Sequence, residues 1–260
     1  APGDARARHG ASREAARRSP RPRECRARRA TQLGNAPIEI LPNPVDTARF
    51  HPQAPELEQD GVILFVGTVC EKKGVRQLVQ AMPQIIAQAP HAKLWIAGRD
   101  WHDPNTGESF IEKLRGIIPP ELSEKIIFKG RIEHADLPAL MAQASVCVYP
   151  SHMEAMPLAW LEGLAMGKAI VASETGPGPE AIEDGVSGLL CNPHEPASIA
   201  EKIIRVLNDK DLRQRLAQQA RQRAENVFSV ESLTARNEAF YVRCAASAPR
   251  AVASVAGLNA

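Results

Sequence analysis

Two carboxylates frame the stretch SHMEAMPLAWLEGLAMGKAIVAS, residues 151 to 173, with Glu154 ahead of Pro157 and Glu162 inside the apolar run that follows. A pair of acids so placed supports three kinds of chemistry: hydrolysis by general acid and base, ligation of a metal, or acceptance of hydrogen bonds from a polar ligand. Pro157 suits the first position of a helix, because its missing N–H and fixed φ cost nothing there. The segment therefore predicts a helix from residue 156 or 157, with Glu154 just outside its N-terminus. Glu162 then lies about 7 Å farther along the axis, at roughly 1.5 Å per residue. The two acids bracket a helix end whose free amides attract an anion.

The residues alone leave these chemistries open. A hydrolase pair must face across a cleft, which one loop-to-helix segment does not guarantee. A metal wants more than two oxygen ligands, and His152 adds little to them. Glu154 as a cap and Glu162 as a surface residue make up the structural alternative. A ligand with an anionic middle and hydroxyl-rich wings fits both acids, and a nucleoside diphosphate sugar has that shape. A second loop points the same way: after VILFV comes GTVCEKKG, with Gly67, Lys73 and Gly74. Glycine at a strand end lets backbone amides approach a ligand, and a lysine opening the next helix adds positive charge, so phosphate is the natural guest. The loop is neither a P-loop nor a dinucleotide turn. Taken alone, Lys73 reads equally well as a solvated lysine.

Such residues need a scaffold. From residue 37 short apolar runs alternate with longer amphipathic ones, the pattern of β-α-β units around a parallel sheet. Strands are predicted near 38–41, 62–66, 93–97, 126–129, 145–148, 169–172 and 187–190, and helices near 74–88, 108–116, 135–143, 157–166 and 196–207. After residue 209 the pattern stays helical. In an open parallel sheet ligands sit beyond the carboxyl ends of the strands. The loops after 66, 97, 129, 148 and 172 are therefore the ones to carry chemistry.

Composition narrows the setting. Cys25, Cys70, Cys147, Cys191 and Cys244 are scattered and show no C-x-x-C spacing, which argues against a disulfide framework or a zinc cluster and for a reducing, cytoplasmic compartment. No metal site and no bound cofactor are expected. No apolar run approaches the roughly 20 residues that span a bilayer. The formal charge of +2 hides an asymmetry: residues 1–30 carry +7 and the remainder −5. The Arg-rich extension over 1–36 has almost no large apolar residues and is expected to be disordered, as is a tail over 244–260. Its arginines suit peripheral contact with anionic lipid, while the lack of interleaved aromatics argues against nucleic acid.

Several stretches together carry a resemblance. The segment from Glu154 to Glu162 resembles the E-x7-E signature of the group-one retaining glycosyltransferases, and ILPNPVDTARFHP, FVGTVCEKKG and TGPGPEAIEDGVSGLLCNP look like three further motifs of that family in the same order. The resemblance spans residues 38–243 and implies the carboxy-terminal, donor-binding half of the two-Rossmann GT-B fold: an α/β domain with a Rossmann-like parallel sheet flanked by helices. It implies a nucleotide-sugar donor and an acceptor the sequence does not name. It also implies a separate amino-terminal acceptor domain as partner, or self-association through Leu233, Phe240 and Tyr241 of the last helix. By position, Glu154 matches the catalytic acid that contacts the donor sugar, Glu162 the acid that holds the ribose, and Lys73 the diphosphate lysine, beside Gly67. Arg131 and Ile132 match the frame of the base, and Ala155, Met156 and Leu158 the backbone amides that meet donor oxygens. Thr68 stands where the family carries an arginine, which removes one of two cations expected on the diphosphate. A nucleotide-sugar-binding module without turnover is the alternative to an enzyme. Arg99, Trp101 and His102, in an insertion-like loop, leave two readings open, a place near the site or surface packing, of which surface packing is favoured.

Overall fold

The computed structural model describes residues 39–247, so the extension predicted over 1–36 lies outside the described residues. The chain divides into a unit ending at Ile40, of which only residues 39 and 40 are described, and a second unit beginning at Leu41. The second unit is built on a parallel sheet in the order β3-β2-β1-β4-β5-β6. Its strands are β1 Val62–Val66, β2 Lys93–Ala97, β3 Ile126–Gly130, β4 Val146–Tyr149, β5 Ala169–Ser173 and β6 Leu189–Cys191. The helices are α1 Val75–Gln88, α2 Phe110–Arg115, α3 Leu137–Ala142, α4 Leu158–Ala165, α5 Gly178–Ala181, α6 Pro196–Asn208, α7 Lys210–Arg223 and α8 Val230–Ser247. A π-helical turn, Ala224–Phe228, joins the last two.

Alternation along the strands sorts side chains into two cores. Ile63 and Phe65 of β1, Val146 and Val148 of β4, and Val171 of β5 face one cluster with Leu78, Met82 and Ile85 of α1 and Ile199 and Ile203 of α6. Leu64, Cys147, Tyr149, Ile170 and Ala172 face the other, with Trp160, Leu161 and Leu164 of α4, Ala220 of α7 and Phe228. Both faces of the sheet are covered, which is why its strands read as near-continuous apolar runs rather than as alternating ones. Each fully buried Leu, Ile or Phe contributes about 1.5–3 kcal/mol over an exposed one. Inside these cores burial pushes the Cys147 thiol up to about 11 and the Cys191 thiol up to about 12, so neither is a nucleophile at neutral pH.

The strands predicted at 62–66 and 93–97 match β1 and β2 to the residue. The strand predicted over 38–41 is absent: the described residues Glu39, Ile40 and Leu41 have no strand structure. Pro42 and Pro44 beside them lack N–H donors, and Val45 just beyond forms a single bridge with Ser229. The last helix, α8, runs to Ser247, past the start predicted for a flexible tail. Leu233 lies in the core, Phe240 is half-buried and Tyr241 is 69 % exposed, so the apolar face predicted for this helix is not one continuous surface. Among the described residues no helix is long and apolar enough to cross a membrane.

Candidate functional site

Strand order reverses between β1 and β4, the neighbours at the centre of the sheet. A crevice opens at such a switch point beyond the carboxyl ends of the strands. The loops after β1 and β4 meet there because Gly74 permits it: its φ is 70°, and a Cβ would lie 1.8 Å from the Pro150 carbonyl oxygen. The His152 N–H donates to the Lys72 carbonyl at 2.9 Å and locks the approach. Lys73 is thereby delivered to Glu154, and the two side chains form an ion pair.

The neighbouring loops are laced in the same way. Gly98 sits with a φ of 154° where a Cβ would stand 1.8 Å from the Gly67 carbonyl oxygen. Val69 N–H donates to the Arg99 carbonyl at 2.9 Å, and Trp101 N–H to that of Val69 at 3.2 Å. Two cavities flank this lacing. One, of about 320 Å³, is walled by Gly67, Thr68, Gly98, Arg99, Arg131 and Ile132. The other, of about 600 Å³, is walled by Thr68, Cys70, Glu71, Lys72, Lys73, Arg99 and Trp101. Of the residues singled out in the sequence, Gly67, Thr68, Lys73, Arg131 and Ile132 therefore gather around two adjoining spaces. Arg131 is exposed and pairs with Glu133 at 3.4 Å.

Glu162 lies on α4 with a side chain only 7 % exposed, and its Oε1 is 2.8 Å from His134 Nε2. His134 opens the short turn after β3, and its ring packs on Phe50 with centroids 5.4 Å apart. The surface placement considered for Glu162 is thus corrected: this acid is buried. The helix start is corrected too. Pro157 is the residue before α4, in extended conformation with ψ of 132°, and Leu158 is first. The Leu158 and Ala159 N–H groups accordingly have no intrahelical acceptor. Leu158 is 51 % exposed. Met156 packs its side chain into the core, and its carbonyl accepts from Asn43 Nδ2 at 2.8 Å. Glu154, Ala155, Met156, Leu158 and Glu162 do not line either cavity; Glu154 adjoins the larger one through its ion pair with Lys73.

Sequence reasoning missed one residue here and undervalued two. His134 is 28 positions from Glu162, and nothing in the local pattern links them. Arg99, assigned to surface packing, borders both cavities. His152 stacks on His194 with centroids 4.4 Å apart, and its pKa is lowered by burial and then by the neighbouring imidazole. Among the described residues no group of three or more His, Cys, Asp or Glu side chains is arranged to hold a metal ion.

The sequence and the fold both have counterparts in known proteins. The family model described as "Glycosyl transferases group 1" matches residues 46–223. Glycogen synthase of Mycobacterium tuberculosis is 31 % identical over 215 residues, covering 80 % of this chain and 49 % of the relative. The chain spans about half the length of the curated relatives it matches. Sucrose-phosphate synthase of Thermosynechococcus elongatus superposes with a TM-score of 0.75 at 25 % identity, over 87 % of this chain and 57 % of the other. A C-terminal domain of a group 1 family glycosyl transferase, LpcC of Francisella tularensis, gives 0.64 at 26 % identity, over 72 % of this chain and 99 % of that one. Anabaena HepE, solved in complex with UDP, gives 0.71 at 21 % identity over 79 % of this chain and 57 % of its own, a likeness of fold.

Proposed function

The chain belongs to the group 1 glycosyl transferases, and from that premise we propose that it is the carboxy-terminal, donor-binding half of a retaining glycosyltransferase that takes a nucleoside diphosphate sugar. One observation carries the reading: Lys73 and Glu154 lie on the two loop–helix junctions that flank the switch point of the sheet, and Glu162 about one turn inside the second helix. The near-complete coverage of an isolated C-terminal glycosyl transferase domain supports it. The retaining course is drawn from the spacing of Glu154 and Glu162, which resembles the signature of retaining enzymes.

The chemistry follows from exchange of partners. Lys73 and Glu154 neutralise each other, with side chains 19 % and 12 % exposed. A diphosphate entering beside the Leu158 and Ala159 amides takes over Lys73, and Glu154 is released to accept hydroxyl hydrogen bonds from the sugar. Glu162, held by His134, accepts from the ribose hydroxyl pair. The transition state of sugar transfer develops positive charge on the ring, which a carboxylate at Glu154 stabilises electrostatically. Transfer also needs the acceptor aligned and water excluded, the work of domain closure, and an amino-terminal domain is proposed as the partner that supplies it. A cytoplasmic setting belongs to the same proposal, in keeping with the free cysteines Cys70, Cys147 and Cys191.

Calorimetry with UDP, GDP and ADP tests the reading on the chain itself. Binding of one of them, weakened in Lys73→Ala more for the diphosphate than for the monophosphate, is the expected result. Binding of none would overturn it.

A further inference from the structure

The cations around the crevice are not equally committed. Lys73 is paired with Glu154 and Arg131 with Glu133. The nearby acids are also occupied: Glu71 pairs with Arg76 at 2.8 Å, and Asp100 accepts from the Ser109 hydroxyl at 2.6 Å and the Ile111 N–H at 3.0 Å. Arg99 makes no ion pair among the described residues, and it is the one cation that walls both cavities. Lys72 is likewise unpaired but borders only the larger one.

Position makes this informative. Thr68 and Arg99 leave adjacent parallel strands, and they are the two residues common to both cavity walls. The two backbone hydrogen bonds that tie Val69 to Arg99 and Trp101 hold the β2 loop in register beside Thr68. Thr68 puts no charge on the stretch of wall that it shares with Arg99. A guanidinium brought in from the neighbouring strand supplies charge there and, unlike a threonine hydroxyl, grips phosphate oxygens in a bidentate way.

We propose that Arg99 is the second diphosphate-binding cation of this chain, delivered from the end of β2 to the space that Thr68 leaves on the β1 loop. The proposal rests on the reading of the crevice as a nucleoside diphosphate site. It assigns Lys73 and Arg99 to opposite sides of the anion, with the base directed toward Arg131 and Ile132.

The test uses the diphosphate among UDP, GDP and ADP that the wild-type chain binds, with its monophosphate and its nucleoside. Arg99→Ala is expected to weaken the diphosphate about 10- to 100-fold, the scale of losing hydrogen bonds to a charged group, to weaken the monophosphate less, and to leave the nucleoside unchanged. Arg99→Lys keeps the charge and loses the fork, so part of the affinity returns. Adding Thr68→Arg to Arg99→Ala moves the cation back to the first loop and is expected to restore most of the binding. Unchanged diphosphate affinity in Arg99→Ala would overturn the proposal while leaving the site intact. Equal losses for diphosphate and nucleoside would overturn it as well, since they would report a disturbed cavity. A wild-type chain that binds no nucleoside diphosphate would remove the site and the proposal together.

Discussion

Both ends of the sheet hold ionisable side chains largely out of solvent, Lys168 and Arg213 at one and Lys73, Glu154 and Glu162 at the other, but they hold them differently. At the amino end, Lys168 precedes β5 with its side chain 11 % exposed. Its ammonium donates to the carbonyls of Ala142 and Ala144 at 2.9 and 2.8 Å and to Glu58 at 3.2 Å, so its three protons are spoken for. Arg213 beside it reaches Glu58 and Asp60, each at 3.5 Å, and the Leu207 carbonyl at 3.4 Å. These cations border a cavity of about 550 Å³, yet they are fastened to carbonyls and carboxylates of the scaffold. At the carboxyl end, Lys73 meets Glu154 and His134 meets Glu162 as side chain to side chain across separate loops. The first arrangement saturates a charge. The second leaves it exchangeable, since a ligand can replace one partner without undoing backbone structure. Burial alone does not separate a structural charge from a functional one, and the identity of the partner does.

The sharpest way to break this contrast is to remove one charge from each end. Lys168→Met strands two carbonyls and leaves the partly exposed Glu58 carboxylate to Arg213 alone; breaking a fully buried pair from one side costs about 3–5 kcal/mol. Urea unfolding is expected to show a loss near the lower figure, with nucleotide affinity unchanged. Glu162→Gln is expected to do the reverse: nucleoside diphosphate binding weakens by roughly 1.5–3 kcal/mol, while the unfolding midpoint barely moves because the amide still meets His134. A binding defect in Lys168→Met with normal stability would erase the distinction between the two ends.

His134 sharpens the comparison further. Its role here is positioning: it holds Glu162 Oε1 toward one side, and its own ring is fixed on Phe50. His134→Ala is expected to cost about 1 kcal/mol of nucleotide affinity, the net worth of one hydrogen bond, and His134→Gln to recover part of it. Equal stability and unaltered nucleotide affinity in His134→Ala would place the ring outside the function of the site.

Much of this was legible in the chain. Apolar runs such as VILFV and KLWIA lie between turn residues and are buried on both faces, so their limits could be read directly. The loop glycines were legible because each marks a local backbone requirement, as at Gly74 and Gly98, and the spacing of Glu154 and Glu162 pointed to the proposed site through the resemblance it carries. What escaped was non-local. Arg99 matters through the space beside Thr68, and His134 through an acid on another element. Pro157 shows the limit at finer grain: proline tolerates both the first helical position and the one before it, and the extended ψ that decided between them is set by the turn from β4. The missing strand over 38–41 shows composition misleading where two prolines withhold donors.

The smallest expected effect lies on the boundary between core and site. Tyr149 ends β4, stacks on Trp160 at 6.0 Å and 24°, and buries its hydroxyl with only the weakly bonding Cys147 thiol to interact with and no partner of good hydrogen-bond geometry. Burial raises its pKa well above the ordinary value, so the hydroxyl stays neutral. It also crowds α4, where a Cβ on Gly163, the residue after Glu162, would meet the hydroxyl at 3.3 Å. A buried hydroxyl without a well-placed partner normally carries a cost of about 1–3 kcal/mol, and removing it while keeping the ring deletes that cost. The ring packing stays and only one oxygen is lost, so Tyr149→Phe is expected to change stability by less than about 1 kcal/mol, in the stabilising direction. Nucleotide affinity should not change, because Glu162 is oriented by His134 from the other side. A clear loss of binding in Tyr149→Phe would mean that the hydroxyl acts on α4 when the ligand is bound. The exchangeable region would then reach beneath the helix into what is assigned here to the core.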